Sequence, residues 1–167
     1  MGALCAFLLI AIYYDEKYRR IPNVLLLAML VVGLIRRIYF HGAGGMLAFL
    51  LAAAFLMILL YPFFKIGALG AGDLKLFGVC SGYLSRDKIL HFLFFSLLVA
   101  AIFSVVKLIV ERNAKERLCY LVEYMLEVTR SGKWSLYIRN KEDAYKVSIP
   151  LASSVFASVL LYLGGVY

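Results

Sequence analysis

Two aspartates stand where this sequence is otherwise apolar. Asp73 lies in "LGAGDLKLF", residues 69–77, with Gly70 and Gly72 before it and Lys75 behind it. Asp15 closes the apolar run "ALCAFLLIAIYY" and is followed by Glu16. Carboxylates set into membrane-type sequence are costly and usually functional. Two of them brought close do not both ionise easily, so one keeps its proton and the other is a base. That pair suits water-mediated amide hydrolysis: the base activates water, the acid protonates the departing nitrogen, and neither metal nor cofactor is required. Gly70 and Gly72 are expected to let the backbone approach a substrate strand or take positive φ ahead of a helix. Lys75 is placed either to tune Asp73 or to reach lipid headgroups. Each residue alone has a plainer reading. Asp73 caps a helix, Asp15 pairs with Lys17 or Arg19 at an interface, Pro22 opens a helix and Asn23 caps one.

The elements that would position these residues are apolar helices. The chain has 167 residues, 64% of them hydrophobic, and a net charge of +8. A soluble domain is about half apolar, and here the excess falls in blocks. Six segments can be drawn, at about 2–18, 21–40, 44–64, 73–85, 89–109 and 148–166. The expected fold is an all-α integral membrane protein, a six-helix transmembrane bundle forming one domain over 1–167. A spanning helix needs roughly 20 residues. The first segment must therefore run through Asp15 and Glu16, and the fourth works best if its start near Asp73 lies below the interface.

Fourteen of the Lys and Arg residues fall in the first, third and fifth loops and four in the others. This bias puts the N-terminus outside and the odd-numbered loops in the cytoplasm. Asp15 and Asp73 both border odd-numbered loops, so any six-span topology puts them on one side. The positive charge fits anchoring against anionic lipid. Nucleic-acid binding would need a basic face on a soluble fold, and none is visible. Residues 110–147 form a small cytoplasmic insert between the fifth and sixth helices. Helical spacing of Leu118, Leu121, Val122 and Met125 predicts a helix over 111–129. Residues 134–138 and 144–149 flank "RNKEDA" as a possible hairpin. Cys5, Cys80 and Cys119 make no C-x-x-C pair, so no metal site is expected. No Lys or Arg precedes the first apolar run, so it reads as a retained helix and not a cleaved signal.

"YYDEKYRRIPN", residues 13–23, resembles the first aspartate block of the type IV prepilin peptidases, and "GAGDLK", residues 70–75, resembles their second block, G-x-G-D-x-K. The resemblance covers most of the chain. It implies a multi-pass aspartic endopeptidase of the cytoplasmic membrane. Such an enzyme removes the short basic leader of pilin- or archaellin-type precursors at the cytoplasmic face and uses no cofactor. Asp15 and Asp73 match the catalytic pair, Gly70 and Gly72 shape the second block, and Lys75 is its usual basic residue. Bifunctional members also methylate the new N-terminus and carry paired C-x-x-C motifs. Those motifs are missing here, so no methyltransferase activity is expected. The short form is similar to archaeal prepilin or preflagellin peptidases and to small bacterial enzymes of tight-adherence pili, and the insert at 110–147 looks more like the archaeal type. Tyr14-Asp15 and the G-x-G-D also match presenilin-like and signal-peptide peptidases superficially. A non-enzymatic ion- or proton-conducting bundle is the rival outside the proteases, and a structural assembly subunit is another. The oligomeric state has no sequence signal.

Overall fold

The structure, a computed structural model, describes residues 1–110 and 151–167. The insert helix and hairpin expected over 111–149 lie outside the described residues. The described residues form helices joined by short turns, with no strand among them. In chain order these are α1 (Gly2–Tyr18), α2 (Asn23–Lys65), α3 (Ala71–Tyr83), a 3₁₀ turn (Arg86–Lys88), α4 (Ile89–Val110) and α5 (Leu151–Leu163).

The α2 helix is a folded-back pair. A straight helix of its 43 residues would be about 65 Å long, twice the hydrocarbon thickness of a bilayer. Gly42 breaks it, with φ 61° and ψ −154°, a conformation open essentially to glycine alone. The arm before Gly42 and the arm after it then pack together. A Cβ added at Gly45 would lie 2.6 Å from the Arg37 carbonyl oxygen, and one at Gly33 would lie 2.6 Å from the Phe49 ring. The second and third sequence segments are these two arms.

Helix α3 packs against both arms through the same small-residue logic that governs helices in lipid. A Cβ at Gly82 would meet Phe49 at 2.6 Å, and one at Gly78 would meet Met57 at 2.7 Å. Phe49 thus fills a slot that Gly33 and Gly82 leave open. Its ring meets Tyr83 edge-on at 5.6 Å, and the Tyr83 hydroxyl donates to the Met29 carbonyl. Arg37, half-buried on the first arm, donates from Nε to the Gly82 carbonyl at 3.2 Å and from Nη2 to the Leu84 carbonyl at 2.7 Å. It satisfies the open carbonyls at the end of α3 and places a cation at the negative end of the helix dipole.

Helices α4 and α5 are antiparallel. The Ser158 hydroxyl, late in α5, donates to the Phe92 carbonyl early in α4 at 3.0 Å. Chain direction therefore alternates through the bundle. The end of α1, the turn between α2 and α3, and the start of α5 share one end, while Gly42, Arg37 and the 3₁₀ turn share the other. The α2 helix and the stretch Arg86–Lys107 are long and apolar enough to cross a membrane, while α5 is a shorter apolar helix.

Candidate active site

Asp15 is carried inward by the stripe that packs α1. Leu4, Leu8, Ala11 and Asp15 are the buried residues of that helix, spaced four, three and four apart, as one helix face requires. The stripe would be wholly apolar if it ended at Ala11. Asp15 extends it by a turn and is only 6% exposed. Tyr13, Glu16, Lys17 and Tyr18 stay exposed around it. Lys17 Nζ donates to the Tyr13 hydroxyl at 3.1 Å and lies over the Tyr18 ring, so it does not serve as the partner of Asp15. A buried carboxylate needs hydrogen-bond donors. Asp15 Oδ2 accepts the backbone N–H of Ala152, in the first turn of α5, at 3.1 Å, and the Arg19 guanidinium lies within electrostatic reach.

Arg19 also turns the chain. It caps α1 in the left-handed region at φ 51°, its N–H donating to the Asp15 carbonyl. The chain then runs back along the bundle, burying Ile21 and starting α2 at Asn23 with Pro22 as its N-cap. Asn23 is therefore not the cap. It is the first helical residue, and its side chain is free for another task.

Asp73 is held by a compact turn. The second arm of α2 ends with Gly67 at φ 77°. The Gly67 N–H donates to the Phe64 carbonyl and the Ala68 N–H to the Phe63 carbonyl, the paired bonds of a glycine C-cap. Three residues later Gly70 caps α3 and Asp73 falls in the first turn. Its carboxylate accepts the N–H of Gly70, the return bond of a capping box.

Gly70 and Gly72 differ from the expectation of positive φ. Gly70 has φ −73° and ψ 151°, and Gly72 lies inside α3. What Gly70 supplies is room: a Cβ there would lie 2.8 Å from Asp73 Oδ2. At Gly72 a Cβ would make ordinary contact with Ile21 at 3.6 Å. Lys75 settles on neither of its expected tasks, because Nζ donates to Asn23 Oδ1 at 3.0 Å. The two sequence blocks thus touch twice, at Ile21 with Gly72 and at Asn23 with Lys75, and both contacts set Asp15 and Asp73 at the same end of the bundle. The two carboxylates are close enough to interact electrostatically. Among the described residues no three of His, Cys, Asp and Glu gather in one place.

Sequence reasoning missed three contributors: the Ala152 amide, the Asn23 side chain and the Gly67 turn. Only Gly67 had a local signal, a glycine two positions after Lys65 at the end of an apolar run. The sequence model of the type IV leader peptidase family matches residues 2–105. The chain belongs to that family. This leader peptidase is a membrane protein, as its family and its apolar helices agree. The matched span contains Asp15, Asp73 and both blocks, and it stops short of α5, which brings Ala152 to Asp15. No curated protein and no solved structure matches the chain at a significant level.

Proposed function

We propose that this leader peptidase is an aspartic endopeptidase whose reacting groups are Asp15 and Asp73, and that it removes the basic leader of pilin- or archaellin-type precursors at the cytoplasmic face of the membrane. The observation that carries the reading is the meeting of two carboxylates, from helices far apart in sequence, at one end of an apolar bundle. One carboxylate takes a proton from water as its oxygen attacks the scissile carbonyl carbon. The other gives its proton to the amide nitrogen as the C–N bond breaks. The two protons balance, and the site needs no further reactant.

The surroundings suit a peptide that leaves the membrane at this point. Exposed aromatic residues gather near both ends of the bundle, with Tyr13, Tyr18, Tyr61 and Phe63 near the site and Tyr39 and Phe40 near Gly42. Such belts mark the two membrane interfaces. Six rods then cross, with the arms of α2 counted separately, and the aspartates lie at the level of one interface. A substrate helix hides its own peptide bonds, so cleavage must occur where it unwinds, and an interfacial pair meets the chain there. Lys17, Arg19, Arg20, Lys65 and Lys75 fall at this end, which supports a cytoplasmic side for it. The 110–147 insert joins helices at the same end and would face the same compartment. Neither methyl transfer nor a cofactor belongs to the reading.

The test is leader removal from a co-expressed precursor by Asp15→Asn and Asp73→Asn, each checked for membrane insertion. Each is expected to lose about 10²–10⁴-fold in rate. Full cleavage by either would sink the assignment, and loss of wild-type activity with a chelator would replace it with a metal-dependent mechanism. Retained proton flux through liposomes without cleavage would favour a conducting bundle.

A further inference from the structure

The two aspartates are not held alike. Asp15 is buried, and its carboxylate is met by the Ala152 N–H at 3.1 Å. Ala152 is the second residue of α5, so its N–H has no carbonyl partner within the helix and lies at the positive end of the helix dipole. Among the described residues, the ionisable groups facing Asp15 are Arg19 and Glu16 from its own helix end and Asp73 from α3. Helix α5 presents an amide. Asp73 faces Asp15 and, among the described residues, receives the Gly70 N–H. The cation on its own helix, Lys75, is directed to Asn23 Oδ1. Donors and positive charge therefore favour a carboxylate at Asp15 more than at Asp73.

We infer that the first turn of α5, through the Ala152 N–H, is a positioning element that makes Asp15 the base and leaves Asp73 as the acid. This rests on the aspartic-peptidase reading above. Asp15 takes the proton of the attacking water. Asp73 releases its proton to the nitrogen of the departing segment, and a proton passing from Asp15 to Asp73 through solvent resets the pair. The division of labour comes from outside the family-matched residues, because Ala152 lies beyond residue 105. It also ties the site to the end of the insert, since α5 begins at Leu151.

The experiment removes one N–H. Replacing Ala152 by L-lactic acid turns one peptide bond into an ester without changing the side chain, and Ala152→Pro removes the same N–H genetically. Ala152→Gly keeps the N–H and is the control. The full chain in phospholipid vesicles is assayed on a precursor across pH. The ester is expected to lower kcat about tenfold on the acid limb of the profile, with little change above it and KM unchanged. It is also expected to move the acid side of the rate profile up by about one pH unit. Ala152→Gly, which keeps the N–H, should keep the acid-side midpoint of the wild type whatever its rate.

An unchanged profile, or a loss uniform across pH, would overturn the inference. If the proline chain fails to insert, the ester chain decides. A second readout does not require cleavage: infrared titration of the Asp15 carboxylate in the Asp73→Asn background, with and without the ester. The ionisation midpoint should rise by the same unit, and an unmoved midpoint overturns the inference even if no precursor is ever cut. Failure of the wild type to cleave would instead count against the aspartic-peptidase reading.

Discussion

The two ends of helix α3 are built to different standards. At the end away from the aspartates, Arg37 binds two carbonyls, Tyr83 reaches Met29, and Phe49 fills the space left by Gly33 and Gly82. At the Asp73 end, one backbone N–H holds the carboxylate, and an exposed Lys75–Asn23 bond joins the two sequence blocks. The first end is dense and held by several hydrogen bonds. The second is open and lightly held. A helix clamped at one end keeps its far residues in register while its near residues can admit a substrate. In the proposed function the tight end carries stability and the loose end carries chemistry, as stability distributed unevenly over a fold allows.

That contrast can be broken by substitution. The largest effect is expected from Gly70→Ala. Its backbone angles suit alanine, so the fold should persist, but the new Cβ would force the Asp73 carboxylate to turn away. A displaced catalytic group costs about 10²-fold in rate, read as leader cleavage by a chain of unchanged melting temperature. Gly82→Ala should do the reverse. Its Cβ would enter the Phe49 ring, and overpacking of this kind costs about 1–3 kcal/mol, measured as a lower thermal midpoint in detergent. Arg37→Met should destabilise by a similar amount, because it leaves carbonyls at the end of α3 without donors. Lys75→Met should lower cleavage only about threefold, since an exposed hydrogen bond contributes of order 0.5–1.5 kcal/mol. Gly72→Ala should leave both stability and cleavage near wild type, because its Cβ meets Ile21 at an ordinary distance. Equal damage from Gly70→Ala and Gly72→Ala would refute the distinct roles given to the two glycines.

The parts of this arrangement that were legible are those set by segment length and topology. The first apolar run is too short to span unless it carries Asp15 with it, whereas the stripe of Leu4, Leu8, Ala11 and Asp15 was hidden, since every residue from Ala3 to Tyr14 is apolar. The order of apolar runs puts Asp15 and Asp73 at one end without any knowledge of packing. The break between the second and third segments, between residues 40 and 44, was legible, although its geometry at Gly42 was not. What was hidden depends on contacts between remote parts of the chain. Asn23 and Lys75 are 52 positions apart. The Ala152 donor is a backbone N–H, which every residue but proline possesses, so residue type gives no sign of it. Arg37 looked like a loop charge, since nothing in "IRRIYF" shows that one of its two arginines turns inward to a neighbouring helix end. The glycines of the second block misled for a related reason. Glycine before a helix suggests unusual backbone angles, whereas at Gly70 the requirement is lateral space for a carboxylate.

The reversal at Gly42 bears on how the chain enters a bilayer. Its arms are covalently adjacent and already packed on each other at Gly33, Phe49 and Gly45. They can partition from the insertion machinery as one hairpin, with the backbone groups inside each arm satisfied by its own helix. Helix α3 then has a preformed slot to enter, lined by Phe49 and Met57. Biogenesis of this peptidase would accordingly proceed from the middle of the sequence outward, with the α1 helix and its Asp15 docking onto a core that already carries Asp73.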